Sequence, residues 1–283
     1  MRSTPFGLFA LSVIAALLCP APGAGQVPET EEPSSAAILA AAKRFQAHAK
    51  EVASAYDMRA QSTVGRKLTL SAESILNWTN PVPEKQMHGE VFLWNDEGRP
   101  AAVLCLFEMQ ENGVVRECHE LCSLAAGPLT ANASEGIRWA PTEAQLAMSP
   151  LAGAPPPADL PRQRLAQMRE LASRFACEKT TRMGEKHSLR LLSQPVARYD
   201  SPPQNVSDGA LFAFVEATDP EAFLLLEARP AGGILQWHFG FARMVSVHLQ
   251  ATLSGNAVWE VKQLPYDGYR NRADRPYALL FPR

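Results

Sequence analysis

Residues 209–244, GALFAFVEATDPEAFLLLEARPAGGILQWHFGFARM, decide the fold, because the pattern that begins at Gly209 and ends at Trp259 already occurs 120 residues earlier. Eleven of these 51 positions are identical in the two copies without a gap, whereas unrelated sequences of this length share roughly three or four. In the earlier copy the identical residues are Gly89, Phe92, Pro100, Ala102, Leu104, Leu106, Gly113, Leu129, Ala131, Ser134 and Trp139. The sequence therefore predicts an internal duplication.

A segment with apolar residues at helical spacing precedes each copy. These residues are Leu39, Ala42, Phe45, Ala49, Val52 and Tyr56 before the first copy, and Leu165, Met168, Ala172 and Phe175 before the second. Within the copies, Asn112-Gly113 and Gly232-Gly233 favour tight hairpin turns between apolar strands. Trp139 and Trp259 close the copies at the same offset, and we expect both to be buried against the helix of their own unit.

This order of elements predicts an α+β fold with internal duplication. Each unit is expected to pack one N-terminal helix on a twisted antiparallel meander of about five strands. In outline the arrangement resembles cystatin-like and NTF2-like domains. The resemblance rests on element order and implies no functional residue, because no motif accompanies it.

The units are expected over residues 34–139 and 162–262. Residues 140–161 contain six prolines, which predict an extended linker without helix or ladder hydrogen bonds. Residues 263–283 are expected to form a polar C-terminal tail.

Residues 1–25 have the organisation of a secretory signal peptide: Arg2, an apolar run from Phe6 to Leu18, and small or helix-breaking residues up to Gly25. We therefore expect a secreted or periplasmic protein whose mature chain begins near Gly25. No later stretch approaches the roughly 20 apolar residues of a transmembrane helix. Without Arg2, 26 of the 27 basic side chains remain against 29 acidic ones, so we expect no attraction to nucleic acid.

Four cysteines remain when Cys19 is removed with the leader, namely Cys105, Cys118, Cys122 and Cys177. Cys118, His119 and Cys122 look like a metal cluster, but on a strand the two cysteines lie about 13 Å apart and the histidine points to the other face. We therefore expect neither a metal nor a cofactor. The spacing favours small buried cysteines over a disulfide from Cys105, and leaves both open.

Two-residue turns would place Glu227 opposite His238 across the second hairpin. Leu224, Leu226 and Trp237 belong to the core face of that sheet, so alternation puts Glu227 and His238 on the opposite, solvated face. A carboxylate beside an imidazole suits general acid–base chemistry. The same pair is also an ordinary cross-strand contact.

Glu117 and His119 are polar residues on the corresponding core face of the first unit, where the second unit has Trp237 and Phe239. Buried polar groups must be paired, and a cavity under the helix is a common ligand site in such folds. The competing explanation for these polar residues is that the core face of the first unit is less covered and therefore more exposed to solvent.

No phosphate-binding loop, nucleophile elbow or metalloprotease helix is present in the sequence. We therefore expect an exported soluble two-unit binding or scaffold protein, whose sheets recognise a small molecule or a protein partner. The alternative is an enzyme or small-ligand carrier that uses a cavity lined by Glu117 and His119. The sequence decides neither the ligand, nor catalysis, nor the oligomeric state.

Overall fold

The computed structural model describes residues 35–61, 65–82, 85–111 and 113–282, so the expected leader lies outside the described residues. Strands account for 51% of the described residues and helical residues for 16%. The prediction of an α+β duplication, with a helix on a meander in each unit, is wrong. The described chain is mostly β, with two α-helices and three sheets, one of which is a half-barrel.

In chain order, the first part of the protein forms helix α1 (Ser35–Ser54) and strands β1 (Asp57–Ala60), β2 (Thr69–Leu70), β3 (Leu76–Val82), β4 (Lys85–Asp96), β5 (Arg99–Glu111), β6 (Val114–Ser123), β7 (Leu129–Asn132) and β8 (Arg138–Trp139). The second part forms β9 (Ser149–Pro150), helix α2 (Pro161–Ser173), β10 (Phe175–Thr180), β11 (Lys186–Leu191), β12 (Ala197–Ser201), β13 (Val206–Glu216), β14 (Asp219–Ala231), β15 (Ile234–Arg243), β16 (His248–Leu253), β17 (Asn256–Val261) and β18 (Tyr277–Leu280). Short 3₁₀ turns lie at Ser134–Gly136, Pro202–Gln204 and Tyr266–Gly268.

The strands form a six-stranded, a nine-stranded and a three-stranded antiparallel sheet. The six-stranded sheet has the order β18-β6-β5-β4-β2, with β3 paired to β4. The nine-stranded sheet has the order β17-β16-β10-β11-β13-β14-β15-β9, with β12 paired to β13, and β1-β7-β8 form the third sheet.

The length of one strand explains why the two halves do not build the same sheets. In the second half, β11 is six residues long and pairs with both β10 and β13, which joins β9 to β17 into one sheet. In the first half, β2 has two residues and pairs with β4 alone, while β1 pairs with β7 in a separate sheet. The repeated sequence pattern predicts the hairpins but not this difference.

Each large sheet is covered by a helix on one face and by the other large sheet on its second face. Helix α1 packs on the six-stranded sheet through Ala49 and Ala53, and α2 packs on the nine-stranded sheet through Met168 and Leu171. The remaining faces meet in an apolar layer that includes Val91, Leu93, Val103, Leu211, Ala213, Phe223 and Leu225. The expected solvated face is therefore wrong, because strands such as β14 are apolar on both sides and need two partners.

Two glycines allow aromatic rings to lie flat on the sheets. Gly89 pairs with Trp78, and a Cβ added at Gly89 would stand 2.2 Å from the indole. Gly209 pairs with Tyr199, and an added Cβ would stand 2.6 Å from the phenol ring. Both rings contribute to the apolar layer between the large sheets.

Trp139 and Trp259, which end the two similar stretches of sequence, differ in burial. Trp139 is fully buried in the cluster under α1, as expected, and its Nε1 donates to the Arg275 carbonyl at 2.7 Å. Trp259 is half-buried and stacks on Phe241, with ring centroids 5.2 Å apart.

The linker and the tail both add strands to the large sheets. Ser149 and Pro150 of the proline-rich segment pair with Phe239 and His238, so part of this segment joins a ladder. The tail carries β18, whose four buried residues pair with β6 of the six-stranded sheet. No helix in the part of the chain that the structure describes is long and apolar enough to cross a membrane.

Candidate ligand-binding site

A cavity of about 630 Å³ lies between α1, the beginning of β6, the 3₁₀ turn at Ser134–Gly136 and the last residues of the described chain. Its polar wall contains His48, Glu117 and His119. We call it the α1–β6 cavity.

Regular spacing places these side chains together. His48, Val52 and Ala55 follow one another by four and three residues, so they project from one face at the end of α1. On β6, Glu117 and His119 are two residues apart and therefore share a face of the strand. His119 stands opposite Leu106, on the face that the sequence assigned to the core.

Four side chains form a hydrogen-bonded chain, and three of them, His48, Glu117 and His119, lie in the wall of the α1–β6 cavity. The Tyr56 hydroxyl lies 2.6 Å from His119 Nδ1, and His119 Nε2 lies 2.8 Å from Glu117 Oε1. The other carboxylate oxygen of Glu117 lies 2.5 Å from His48 Nε2. Glu117 thus bridges two imidazoles, one contributed by β6 and one by α1.

The protonation states of this chain follow from its surroundings. The hydrogen bond from His119 lowers the pKa of Glu117 against the opposing effect of burial, and the bond from His48 lowers it further. Burial, together with the negative charge of Glu117, raises the pKa of the Tyr56 phenol. The ionised carboxylate accepts, so both imidazoles donate through Nε2. The protonated phenol then donates to His119 Nδ1.

His48 differs from His119 in its access to the cavity. Its side chain is 52% exposed, whereas His119 is buried. Because Nε2 donates to Glu117, the neutral imidazole of His48 carries its lone pair on Nδ1. Glu117 therefore fixes the orientation of a half-exposed imidazole in the cavity wall.

The rest of the cavity wall is largely apolar. It includes Val52, Ala55, Val114, Val115, Ile137 and Phe281. Val114 and Val115 are large apolar residues that remain exposed. A cavity with an apolar wall and a few convergent polar groups is typical of a small-molecule site.

The other sequence candidates, Glu227 and His238, are opposite one another in register, as expected. Their side chains do not meet. Glu227 is fully buried and accepts from Arg99 Nε at 2.8 Å, while Arg229 Nε donates to its other oxygen at 2.6 Å. The Tyr199 hydroxyl donates to Glu227 as well. The carboxylate is therefore an internal ion-pair centre and does not belong to a solvated pair, because the two large sheets cover it.

The four cysteines of the described residues are buried, and they form no disulfide there. Burial raises the pKa values of Cys105, Cys122 and Cys177. Among the residues that the structure describes, no group of three or more His, Cys, Asp or Glu side chains could hold a metal ion.

His48 and Tyr56 were not predicted as site residues. Tyr56 belongs to the apolar stripe of the first segment, and a buried tyrosine needs a partner for its hydroxyl. That requirement could have indicated from the sequence that Tyr56 contacts a polar side chain. The sequence around His48 contains no such signal, because its partner Glu117 lies 69 residues further along the chain.

The structure is thus a mostly β protein with a solvent-open cavity of small-molecule size beside α1. Comparison with known proteins adds no family: no protein-family model, no curated protein and no solved structure matches the chain.

Proposed function

We propose that this protein binds a small molecule in the α1–β6 cavity. The observation that carries the proposal is the ionised Glu117 carboxylate, held by two imidazoles in a largely apolar wall. The cavity volume of about 630 Å³ falls in the range of roughly 300 to 1,000 Å³ that small-molecule sites occupy.

The chemistry of Glu117 favours a ligand that donates hydrogen bonds. A carboxylate has about four acceptor positions, and the two histidines use two of them. The side chain is 23% exposed, so a ligand N–H or O–H group can reach it. We infer a ligand with an apolar body and an amine or hydroxyl group. Glu117 and Glu51 disfavour an anionic ligand by repulsion, although Arg116 also lines the cavity.

The packing of the sheets favours this cavity over recognition by a sheet face. The described faces of the large sheets are covered by α1, by α2 and by each other. A scaffold that used these faces would have to separate the layers. A site in the α1–β6 cavity requires no such change.

Ligand-observed NMR with benzylamine, benzyl alcohol and benzoate tests the proposal. We expect benzylamine or benzyl alcohol to bind the wild-type protein, and benzoate to bind less well. Glu117→Gln should weaken binding at least about tenfold, since a charge-assisted hydrogen bond contributes roughly 1.5 to 3 kcal/mol. Glu260→Gln is the matched control, because Glu260 also accepts from an imidazole, that of His248, outside the cavity lining. Equal binding by Glu117→Gln would contradict the proposal.

A second candidate function is general acid–base catalysis, which the 2.5 Å contact between His48 and Glu117 favours. In this reaction His48 Nδ1 takes a proton from water, the resulting hydroxide adds to a substrate carbonyl, and the proton passes to the leaving group. With p-nitrophenyl acetate as the probe, we expect hydrolysis to fall at least about tenfold in His48→Gln. His238→Gln is the control, since His238 has no carboxylate partner in the described chain. Equal rates in both variants would exclude this candidate.

Export remains part of the proposal and rests on residues 1–25 alone. N-terminal sequencing of material recovered outside the cytosol should find a mature chain that begins near Gly25. Intact Met1 on the recovered protein would contradict it.

A further inference from the structure

A second cavity, of about 450 Å³, lies where the end of β15, the segment after β17 and the C-terminal tail meet. Three arginines contribute to its wall: Arg243 from β15, and Arg272 and Arg275 from the tail. We call it the Arg243 cavity. It shares no lining residue with the α1–β6 cavity.

Arg243 is a buried cation without a carboxylate partner among the described residues. Only 6% of the residue is exposed. Its Nη2 donates to the carbonyls of Val247 and Lys262 at 2.6 and 2.9 Å, and its Nε has no acceptor. Burial lowers the pKa of this guanidinium to about 10, so it still carries its charge at neutral pH.

Arg275 is the second weakly compensated cation in this wall. Its Nε also has no acceptor, and its nearest carboxylates, those of Glu143 and Asp274, stand 3.7 Å away. That distance is beyond an ordinary hydrogen bond. Arg272 is different, because it forms two bonds of 2.9 and 2.8 Å to Asp274. The carboxylates of Glu143 and Asp267 also line this cavity, so Arg243 is its unpaired cation and Arg275 its weakly paired one.

Other buried cations of this protein have partners. Arg99 pairs with Glu227, Arg164 with Asp208, and Lys179 with Glu221. This agrees with the general rule that buried charges are paired. Arg243 departs from the rule, and it also borders a cavity large enough for a small ligand.

We propose that the Arg243 cavity binds the oxyanion group of a small molecule, a carboxylate or a phosphate, with Arg243 as the main contact and Arg275 as the second. Guanidinium groups suit both anions because their planar N–H donors match the spacing of two oxygens. The apolar residues Val261 and Leu264 in the same wall suit a short carbon chain next to the anionic group. The site is independent of the ligand proposed for the α1–β6 cavity, which is not an anion.

The competing explanation is purely structural, with Arg243 bracing the carbonyls of Val247 and Lys262. Anion-dependent stabilisation separates the two explanations. A brace needs no anion, whereas a binding site stabilises the folded protein by RT ln(1 + L/Kd), where L is the free oxyanion concentration, so the melting temperature rises with the logarithm of L above Kd.

The experiment measures thermal unfolding of the full chain in succinate or phosphate, against sodium chloride at matched ionic strength. We expect a rise of several degrees that follows this logarithmic dependence in at least one of the two oxyanions. The Arg169→Gln variant, altered at an exposed position of α2, should show the same rise. In Arg243→Gln the rise should be lost, and in Arg275→Gln the apparent affinity should fall at least threefold, by loss of one charged contact.

Arg275 is half-exposed, so Arg275→Gln is expected to fold even if Arg243→Gln does not. A succinate response alone assigns a carboxylate site, and a phosphate response alone assigns a phosphate site. Equal melting temperatures in chloride and in both oxyanions would overturn the proposal. An unchanged oxyanion affinity in Arg275→Gln would overturn the proposal as well, even if Arg243→Gln does not fold.

Discussion

Arg99 and Glu227 join the two large sheets through a buried ion pair. The Nε of Arg99 on β5 lies 2.8 Å from Oε1 of Glu227 on β14, and the side chains are 4% and 0% exposed. Arg99 also donates to the Leu124 carbonyl at 3.0 Å. The pair shows that these sheets meet through a specific polar contact as well as through the apolar layer.

Removing one member of this pair should destabilise the protein strongly. We expect Arg99→Met to cost about 3 to 5 kcal/mol, because it leaves the buried Glu227 carboxylate without one of its two cationic partners. The double variant Arg99→Met with Glu227→Gln should recover at least half of this loss. Urea denaturation measures both variants. A single variant within about 0.5 kcal/mol of wild type, the range of an ordinary surface change, would contradict the packing of the sheets.

The tryptophans at the repeat ends should differ in their contribution to stability. Trp139→Ala should cost about 3 to 5 kcal/mol, as expected for a large aromatic removed from a packed core. Trp259→Ala should cost about 1 to 2 kcal/mol, because the half-buried ring loses mainly its stacking on Phe241. Denaturant midpoints compare the two. Equal losses would show that the difference in burial has no energetic consequence.

The raised pKa of Asp219 predicts that the protein loses stability as the pH rises. Burial, and then the negative charges of Glu221 and Glu216, raise its pKa from 3.8 to about 8, although Lys179 opposes the shift. The folded state thus retains a proton that the unfolded chain releases, so stability present at about pH 4 is lost progressively towards about pH 8.

The Asp219→Asn substitution removes this titration, so the free energy of unfolding should depend less on pH. We expect the variant to exceed wild type by about 1 kcal/mol or more at pH 8, since one pKa unit corresponds to about 1.4 kcal/mol. Near pH 4 the two proteins should be similar. Urea unfolding across this pH range measures the difference, and parallel curves would contradict the raised pKa.

The cysteines should be unreactive in the folded protein. All four are buried, and burial raises the pKa of the Cys177 thiol to about 12, so little thiolate forms near neutral pH. An aromatic disulfide reagent should therefore label none of them until denaturant is added. Rapid labelling of the native protein would contradict their burial.

Local patterns in the sequence predicted the hairpins correctly. Gly113 and Gly233 both adopt positive φ in hairpin turns, and the pairing of Glu227 with His238 follows from the turn length. Local patterns could not predict how the strands divide into sheets, because this depends on how far β2 and β11 extend. The packing of the sheet faces on each other was missed because alternation was taken to mean a solvated face, although β14 is apolar on both sides.

Only the part of the candidate site that lies on one strand could be predicted from the sequence. Glu117 and His119 were identifiable because polar residues on an apolar strand face need partners. His48 and Arg243 depend on contacts between segments that are distant in the chain. Their roles follow from three-dimensional packing, which a single sequence without related sequences does not reveal.

The most direct test of the account is to fill the α1–β6 cavity and measure ligand binding. Val115 lines the cavity and is exposed, so Val115→Trp should occlude the site without disturbing the core. Ile234→Trp is the matched control, because Ile234 is an exposed apolar residue at the start of β15 outside the cavity lining. In ligand-observed NMR, the amine or alcohol that binds wild type should bind Ile234→Trp equally and Val115→Trp at least about tenfold more weakly, a loss of about 1.4 kcal/mol. Undiminished binding by Val115→Trp would place the ligand elsewhere and contradict the proposed function.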